Sequence, residues 1–397
     1  MHILYIHQYF KTPKEPGGTR SYWIAQELIK EGHTVTMLTT SSSISKKIEK
    51  LIIDNINVVY LKVPYNQKMS ISGRLKSFLS FMIKSTYQSF LVKNVDLVLA
   101  TSTPLTVGFP ALLLKWFKQI PFVFEVRDLW PEVPIQMGGL NNPILQKMAI
   151  WFEKTIYKNA KHIVALSPGM ADGVLKYVPA KKVSMIPNMA KIDLFWPRTK
   201  NLKLTKSLGL REGSFKVVHF GALGLANGAM TIIESAKLAN NDPTFEFIFI
   251  GGGATEHDLK KECSLNQLKN VHFLGRFPLD KTSEIVNFCD VSVVSFKDLP
   301  ILYTNSPNKL FDSLSAGKPI IVNSAGWTKA MVEENKCGFY VNPHHPKELV
   351  EKIKLLQKDK SLALKLGNKA RELAETKYDK SILCKEFVKV INEQSKS

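Results

Sequence analysis

Short apolar runs that break off in glycine or polar residues, each followed by a helical pattern, recur from one end of this chain to the other. Strands joined through crossover helices lie parallel, so the alternation predicts an α/β fold with doubly wound sheets. A first series comprises His2 to His7, Thr34 to Leu38, Ile56 to Leu61, Asp96 to Ala100, Pro121 to Val126, His162 to Leu166 and Val183 to Ile186. A second comprises Val217 to Phe220, Phe245 to Ile250, Val271 to Leu274, Val291 to Ser295 and Ile320 to Val322. From Asp193 to Arg211 the pattern dissolves around Phe195-Trp196-Pro197-Arg198, which reads as an interdomain linker. The 397 residues exceed one ordinary core, and the two series become domains at 1–193 and 194–378.

The second series leads into Asn305 to Ile320, a loop, a short helix and a buried strand. Ser306-Pro307 suits a helix start, and Gly317 suits its end. A helix opening beside the end of a strand points unpaired N–H groups at its surroundings and favours an anion. Lys309 and Asp312, three apart, share a face of the first turns. A cation and an acid over such a start suit a phosphate and ribose hydroxyls; a solvated ion pair on an ordinary αβ unit is the plainer reading.

The chain carries 54 Lys and Arg against 34 Asp and Glu, a net charge of +20. Such an excess attracts nucleic acid, anionic lipid or phosphorylated substrates. No helix-turn-helix, zinc-finger or RNP signature supports nucleic acid. The four cysteines are scattered without a CxxC pattern, which argues against a metal cluster and for a reducing compartment. The start MHILYIHQYF reads as a strand rather than a signal peptide, and no run of about 18 apolar residues predicts a membrane span.

In the first series, Gly17-Gly18 sits in the loop after the first strand, where open α/β sheets bind ligands. It is not a GxGxxG fingerprint, which disfavours a nicotinamide cofactor. Arg127-Asp128-Leu129-Trp130-Pro131-Glu132 leaves the end of a strand, making Asp128 and Glu132 the acid or base candidates and Arg127 a cation beside them. Lys68 to Lys93 carries five Lys or Arg and no acid, with apolar residues at helical spacing. It reads as a basic amphipathic helix suited to an anionic bilayer, or as a core helix with a basic outer face.

Together these motifs resemble a family-four retaining glycosyltransferase of the GT-B fold. The likeness rests on Gly17-Gly18, Ile186-Pro187-Asn188, Gly221 with Gly224 and Gly228, Gly251-Gly252-Gly253 and Leu274-Gly275. Above all it rests on Lys309-Leu310-Phe311-Asp312 with Ala316-Gly317-Lys318-Pro319. Arg127 to Glu132 is similar to the branch that builds bacterial surface polysaccharides, including N-acetylfucosamine transferases.

The resemblance implies two Rossmann-like domains facing a cleft, with a last helix, about 379–397, returning to the first domain. It implies a UDP-sugar on the second domain, near Gly221, Gly252, Arg276, Thr304, Ser306, Asn308, Lys309, Leu310 and Asp312. Gly17 and Gly18 would approach that donor. Asp128 and Glu132 would serve catalysis, and Arg20 and Arg127 a phosphorylated acceptor. No metal and no other cofactor are expected.

Surface-polysaccharide units grow on polyprenyl diphosphate, so a peripheral enzyme on the inner face of the cell membrane is expected. The chain departs from the family where Thr304 replaces an acid, and where Ala222 and about Asn227 replace two cations. Lys309, the amides of Ser306 to Lys309, and Arg276 are the expected substitutes. The alternatives are a nucleotide-sugar 2-epimerase and a non-catalytic transferase-like subunit.

Overall fold

A computed structural model describes residues 1–15, 17–65 and 69–395. Pro16 of the glycine loop and Lys68, the first cation of the basic segment, lie outside the described residues. The chain divides into two compact units, Met1–Thr12 with Gly18–Pro187 and Ser381–Ser397, and Pro13–Gly17 with Asn188–Lys380.

The first unit holds β1 (His2–Ile6), β2 (Thr34–Ser41), β3 (Ile48–Ile53), β4 (Ile56–Lys62), β5 (Leu97–Thr101), β6 (Phe122–Val126), β7 (His162–Ala165) and β8 (Val183–Met185). They form one sheet in the order β3-β4-β2-β1-β5-β6-β7-β8. All neighbours pair parallel except β3 with β4. The antiparallel β3 is absent from the sequence expectation. Its signal is the two-residue turn Asp54-Asn55, with φ 46° and 66°, the left-handed pair that a tight hairpin takes. Helices α1 (Arg20–Lys30), α2 (Ile71–Leu91), α3 (Gly108–Lys118), α4 (Glu132–Gln136), α5 (Pro143–Asn159) and α6 (Pro168–Leu175) intervene. Strands β1, β5 and β6 have buried middles because helices cover both faces, which their unbroken apolar runs require.

The second unit holds β9 (Phe215–Ala222), β10 (Phe245–Gly252), β11 (Val271–Gly275), β12 (Val291–Val294), β13 (Ile320–Val322) and β14 (Gly338–Tyr340). They pair parallel in the order β11-β10-β9-β12-β13-β14. Its helices are α7 (Leu202–Ser207), α8 (Met230–Leu238), α9 (Glu256–Leu265), α10 (Leu279–Phe288), α11 (Asn308–Ser315), α12 (Trp327–Glu334), α13 (Pro346–Lys358) and α14 (Lys360–Leu373). Alternate residues of β9 and β10 enter two cores on opposite faces. Val217, Phe247 and Phe249 join one, and Val218, Phe220, Ile248 and Ile250 the other.

The segment read as a linker is a correction. Phe195 is fully buried in the second core, with its ring 6.1 Å from that of Phe220. Leu204 and Leu210 join it, since an aromatic with a strand face to cover has no reason to stay in solvent. The last helix, α15 (Lys380–Ser395), packs within the first unit. Asn392 meets His33 at 2.8 Å, and Phe387 lies 5.7 Å from the Arg20 guanidinium. Among the described residues no helix is long and apolar enough to cross a membrane.

Candidate functional site

In both sheets strand order reverses beside the strand that opens the unit, β1 against β5 and β9 against β12. Ligands of open α/β sheets gather at the carboxyl ends of strands at such a switch point.

In the second unit this place is occupied by His219 of β9. Its Nδ1 lies 3.0 Å from the carbonyl oxygen of Val293 in β12, and its Nε2 lies 3.1 Å from Lys309 Nζ. A carbonyl only accepts and an ammonium only donates, so the ring carries its proton on Nδ1 and accepts from Lys309 on Nε2. Burial and the charge of Lys309 hold the imidazole well below its ordinary pKa. Lys309 is therefore a buried cation whose partner is neutral. Among the described residues no carboxylate lies within ion-pair distance of it. Burial pushes its pKa down to about 7.

The Lys309 side chain runs over Gly221, whose φ is 106°; a Cβ there would meet Lys309 Cε at 3.4 Å. On β10, a Cβ at Gly251 would fall 1.9 Å from the carbonyl oxygen of Gly221, so that strand end tolerates only glycine. Helix α11 begins at Asn308, one residue later than Ser306-Pro307 suggests, and no side chain caps it. Asn188 pins the preceding loop, donating from its backbone N–H to Ser306 Oγ at 3.2 Å and from its amide to the Ser306 carbonyl.

Asp312 is enclosed on the same helix, with Oδ1 2.5 Å from Lys191 Nζ. Burial raises its pKa and Lys191 opposes the shift. Leu310, expected at the donor, is corrected: its side chain is buried and its N–H bonds the Pro307 carbonyl. Thr304 donates to the Ile301 carbonyl at 2.7 Å. The two positions lacking cations close on each other, Asn227 donating to the Ala222 carbonyl at 2.7 Å. Arg276 and Glu256 both lean over Gly252; a Cβ there would sit 3.1 Å from Arg276 Nε and 2.9 Å from Glu256 Oε2.

In the first unit the strand ends carry His7, Arg127 and Asp128. Arg127 Nη1 is 3.3 Å from His7 Nε2, and His7 Nδ1 is 2.7 Å from Ser21 Oγ. The same reasoning places the ring proton on Nδ1, donated to Ser21. Burial, then Arg127, holds His7 well below its ordinary pKa. Thr103 donates to Asp128 Oδ2 at 2.6 Å. Burial raises the Asp128 pKa against Thr103 and Arg127. Glu132 is exposed at the start of α4 and accepts from Gln136 at 2.6 Å. Gly18 is half-buried and Gly17 exposed, with φ 138°.

Arg20 is a further correction. Contact with an acceptor phosphate does not fit, because its side chain is fully enclosed. Its Nε bonds Glu125 Oε1 at 2.7 Å, and its other nitrogens bond the carbonyls of Ile186 and Pro187.

His7, Thr103, Lys191 and His219 escaped the sequence reading. His219 had a signal, a polar residue inside an apolar strand; Lys191 had none.

The chain matches the model of the glycosyl transferase 4-like domain over residues 17–189 and that of glycosyl transferases group 1 over 201–373. It is 24% identical over 245 residues to TuaH of Bacillus subtilis, named as a teichuronic acid biosynthesis glycosyltransferase. That match covers 61% of this chain and 60% of the relative's length. The sucrose-phosphate synthase of Thermosynechococcus elongatus superposes with TM-score 0.80 at 16% identity, over 99% of this chain and 98% of that one. HepE of Anabaena, solved with UDP and glucose, superposes with TM-score 0.73 at 18% identity, over 98% and 99%. At such identity the two structures speak for the fold. With both halves of the chain matched to glycosyltransferase domains, the protein belongs to the GT-B glycosyltransferases, a 4-like domain followed by a group 1 domain.

Proposed function

We propose that the protein moves a sugar from a UDP-sugar to a saccharide carried on polyprenyl diphosphate, with retention, in the synthesis of a surface polysaccharide such as O-antigen or capsule. The observation that carries the donor half is Lys309, a buried cation held by a neutral imidazole. An enclosed ammonium without a counter-charge is costly, and a diphosphate relieves that cost. The bare Gly221 lets the phosphates approach, and the uncapped start of α11 adds N–H groups and the positive end of a helix dipole.

As the bond from the anomeric carbon to the diphosphate breaks, negative charge grows on the departing oxygen. Lys309 then attracts the transition state more than the bound donor, which is what lowers the barrier. Asp312, already paired with Lys191, meets the ribose through its remaining oxygen. Asp128, held by Thr103, orients the attacking hydroxyl, while Arg127 faces an acceptor phosphate. HepE was solved with UDP and glucose, and TuaH is named for teichuronic acid biosynthesis; the first favours this donor and the second this product class. The work takes place at the inner face of the cell membrane, with α2 toward the lipid.

A panel of UDP-sugars is tested first for raising the unfolding temperature, then for transfer to a polyprenyl-diphosphate saccharide. The expected result is one stabilising sugar nucleotide that is also consumed only with acceptor. Conversion without acceptor would instead indicate a 2-epimerase. Binding with no transfer would indicate a non-catalytic subunit, the reading favoured by the closed Ala222–Asn227 loop and the neutral Thr304.

A further inference from the structure

Helix α2 buries Phe78 and Phe81 against the first unit but keeps a second apolar ridge on its outer side. Ser77, Ser85, Gln88 and Ser89 are buried against the first unit, while Leu75, Leu79, Ile83, Tyr87 and Leu91 point to solvent, Ile83 65% and Tyr87 67% exposed. A helix serving only to cover a sheet turns its leucines inward. Two of the inward hydroxyls are satisfied within the helix: Ser85 donates to the Met82 carbonyl at 3.1 Å and Ser89 to that of Thr86 at 2.8 Å.

The outward ridge does not end with α2. Lys118 of α3 donates to the Phe90 carbonyl at 2.7 Å, and Trp116 of α3 donates to Asn159 of α5 at 3.3 Å. Helix α3 thereby joins α2 to α5. It contributes Trp116 and Phe117, 50% and 74% exposed, and α5 contributes Ile144, Met148 and Trp151 at one-face spacing. The three helices carry three, two and three Lys or Arg. Their single acid, Glu153, is buried and pushed up to about 7 by that burial.

We propose that α2, α3 and α5 form one docking face for an anionic phospholipid bilayer, with Trp116, Phe117 and Trp151 at its centre. Indole and phenyl rings settle at the boundary between headgroups and acyl chains, and the surrounding ammonium groups meet lipid phosphates. A second copy of the chain fits poorly, since a two-fold contact would press this basic face against itself. The choice of a bilayer over an acidic protein rests on the lipid-linked acceptor proposed above.

The test is sedimentation of the full chain with vesicles, without nucleotide or acceptor, so that it succeeds or fails independently of transfer. The protein should sediment with phosphatidylglycerol-containing vesicles and not with pure phosphatidylcholine, and less so at high salt. Trp116→Ser with Phe117→Ser and Trp151→Ser should weaken partitioning at least about tenfold. Lys76→Glu with Lys147→Glu and Lys158→Glu should remove the preference for anionic lipid. Leu265→Ser, which alters an equally exposed leucine of the second unit, should change nothing. The unfolding temperature in buffer verifies that each variant is folded. Equal partitioning of wild type and the aromatic variant overturns the proposal. So does failure of the wild type to sediment, or a wild-type dimer that the aromatic variant abolishes. If sedimentation holds while transfer fails, the face stands and the acceptor assignment falls.

Discussion

The two units solve the same problem with different cations. Each has an imidazole at the strand where its sheet reverses order, protonated on Nδ1 and accepting on Nε2 from a cation, Arg127 for His7 and Lys309 for His219. Each also encloses one ion pair near that place, Arg20–Glu125 in the first unit and Lys191–Asp312 in the second. The first unit thus uses arginine twice and the second lysine twice. A guanidinium keeps its proton at any working pH, whereas a buried ammonium sheds it when no anion is near. The first unit's site is built on fixed charge, and the second's on charge that a ligand can call up.

The largest effect should come from breaking the two ion pairs. Glu125→Ala strands the Arg20 guanidinium in the core, and removing one partner of a buried pair costs about 3–5 kcal/mol. Glu125 also accepts from Thr101 at 2.9 Å, so a second group is stranded with it. Asp312→Ala should cost less, because it strands an ammonium on a flexible stem rather than a guanidinium fixed by bonds to Glu125 and two carbonyls. Urea unfolding of both variants measures the difference. Equal losses would break the contrast between fixed and releasable charge.

The next effect is on the donor. Lys309→Ala should raise the donor KM or lower kcat by roughly 10–1000-fold, for the loss of one or two charge-assisted bonds. Arg127→Ala should leave donor binding intact and act on the acceptor. Steady-state kinetics with each substrate varied in turn separates the two. Donor kinetics within twofold of wild type for Lys309→Ala would remove Lys309 from the diphosphate.

How much of this was legible follows from what each feature depends on. The sheets were, apart from the edge strands β3 and β14, because a strand buried on both faces must be apolar along its length, and Val217-Val218 and Ile320-Ile321-Val322 announce that. Of the candidate site, the glycine at a strand end and the cation at a helix start were legible in the sequence, but the meeting of the buried His219 imidazole with Lys309 beside Gly221 was not. Lys191 was not: its meaning lies wholly in Asp312, far away in sequence. Arg20 was misjudged because an arginine beside a Gly-Gly loop looks exposed; only packing reveals Glu125 and two carbonyls around it. Lys203 and Lys206 made the segment around α7 look like a linker, yet Phe195 and Leu204 needed a core more than those lysines needed water.

The pH dependence of donor binding sharpens the contrast further. Lys309 is held near 7 without ligand, and a bound diphosphate returns it toward its ordinary value. Between these two values binding takes up a proton, so affinity falls as pH rises. The dissociation constant for UDP should increase between about pH 7.5 and 9, by at most about tenfold per unit, while UDP itself stays fully ionised. Lys309→Arg should flatten this slope. Calorimetry in two buffers of different ionisation enthalpy would show the proton directly, and a flat wild-type profile would refute the conditional charge.

The smallest effect tests whether the first unit is free of titration away from its site. Glu153 of α5 is buried beside Tyr157, and its pKa is pushed from 4.5 up to about 7 by that burial. Between those values the folded chain holds a proton that the unfolded chain releases. Its contribution to stability is therefore constant below about pH 4.5 and is lost as pH rises toward 7. Glu153→Gln keeps the shape and removes the charge. It should raise the unfolding temperature by about 2 °C at pH 8 and leave it unchanged at pH 4.5. A gain of equal size at both pH values would mean that packing, not charge, sets the effect. In that case the first unit would be insensitive to pH beyond its arginine-built site as well.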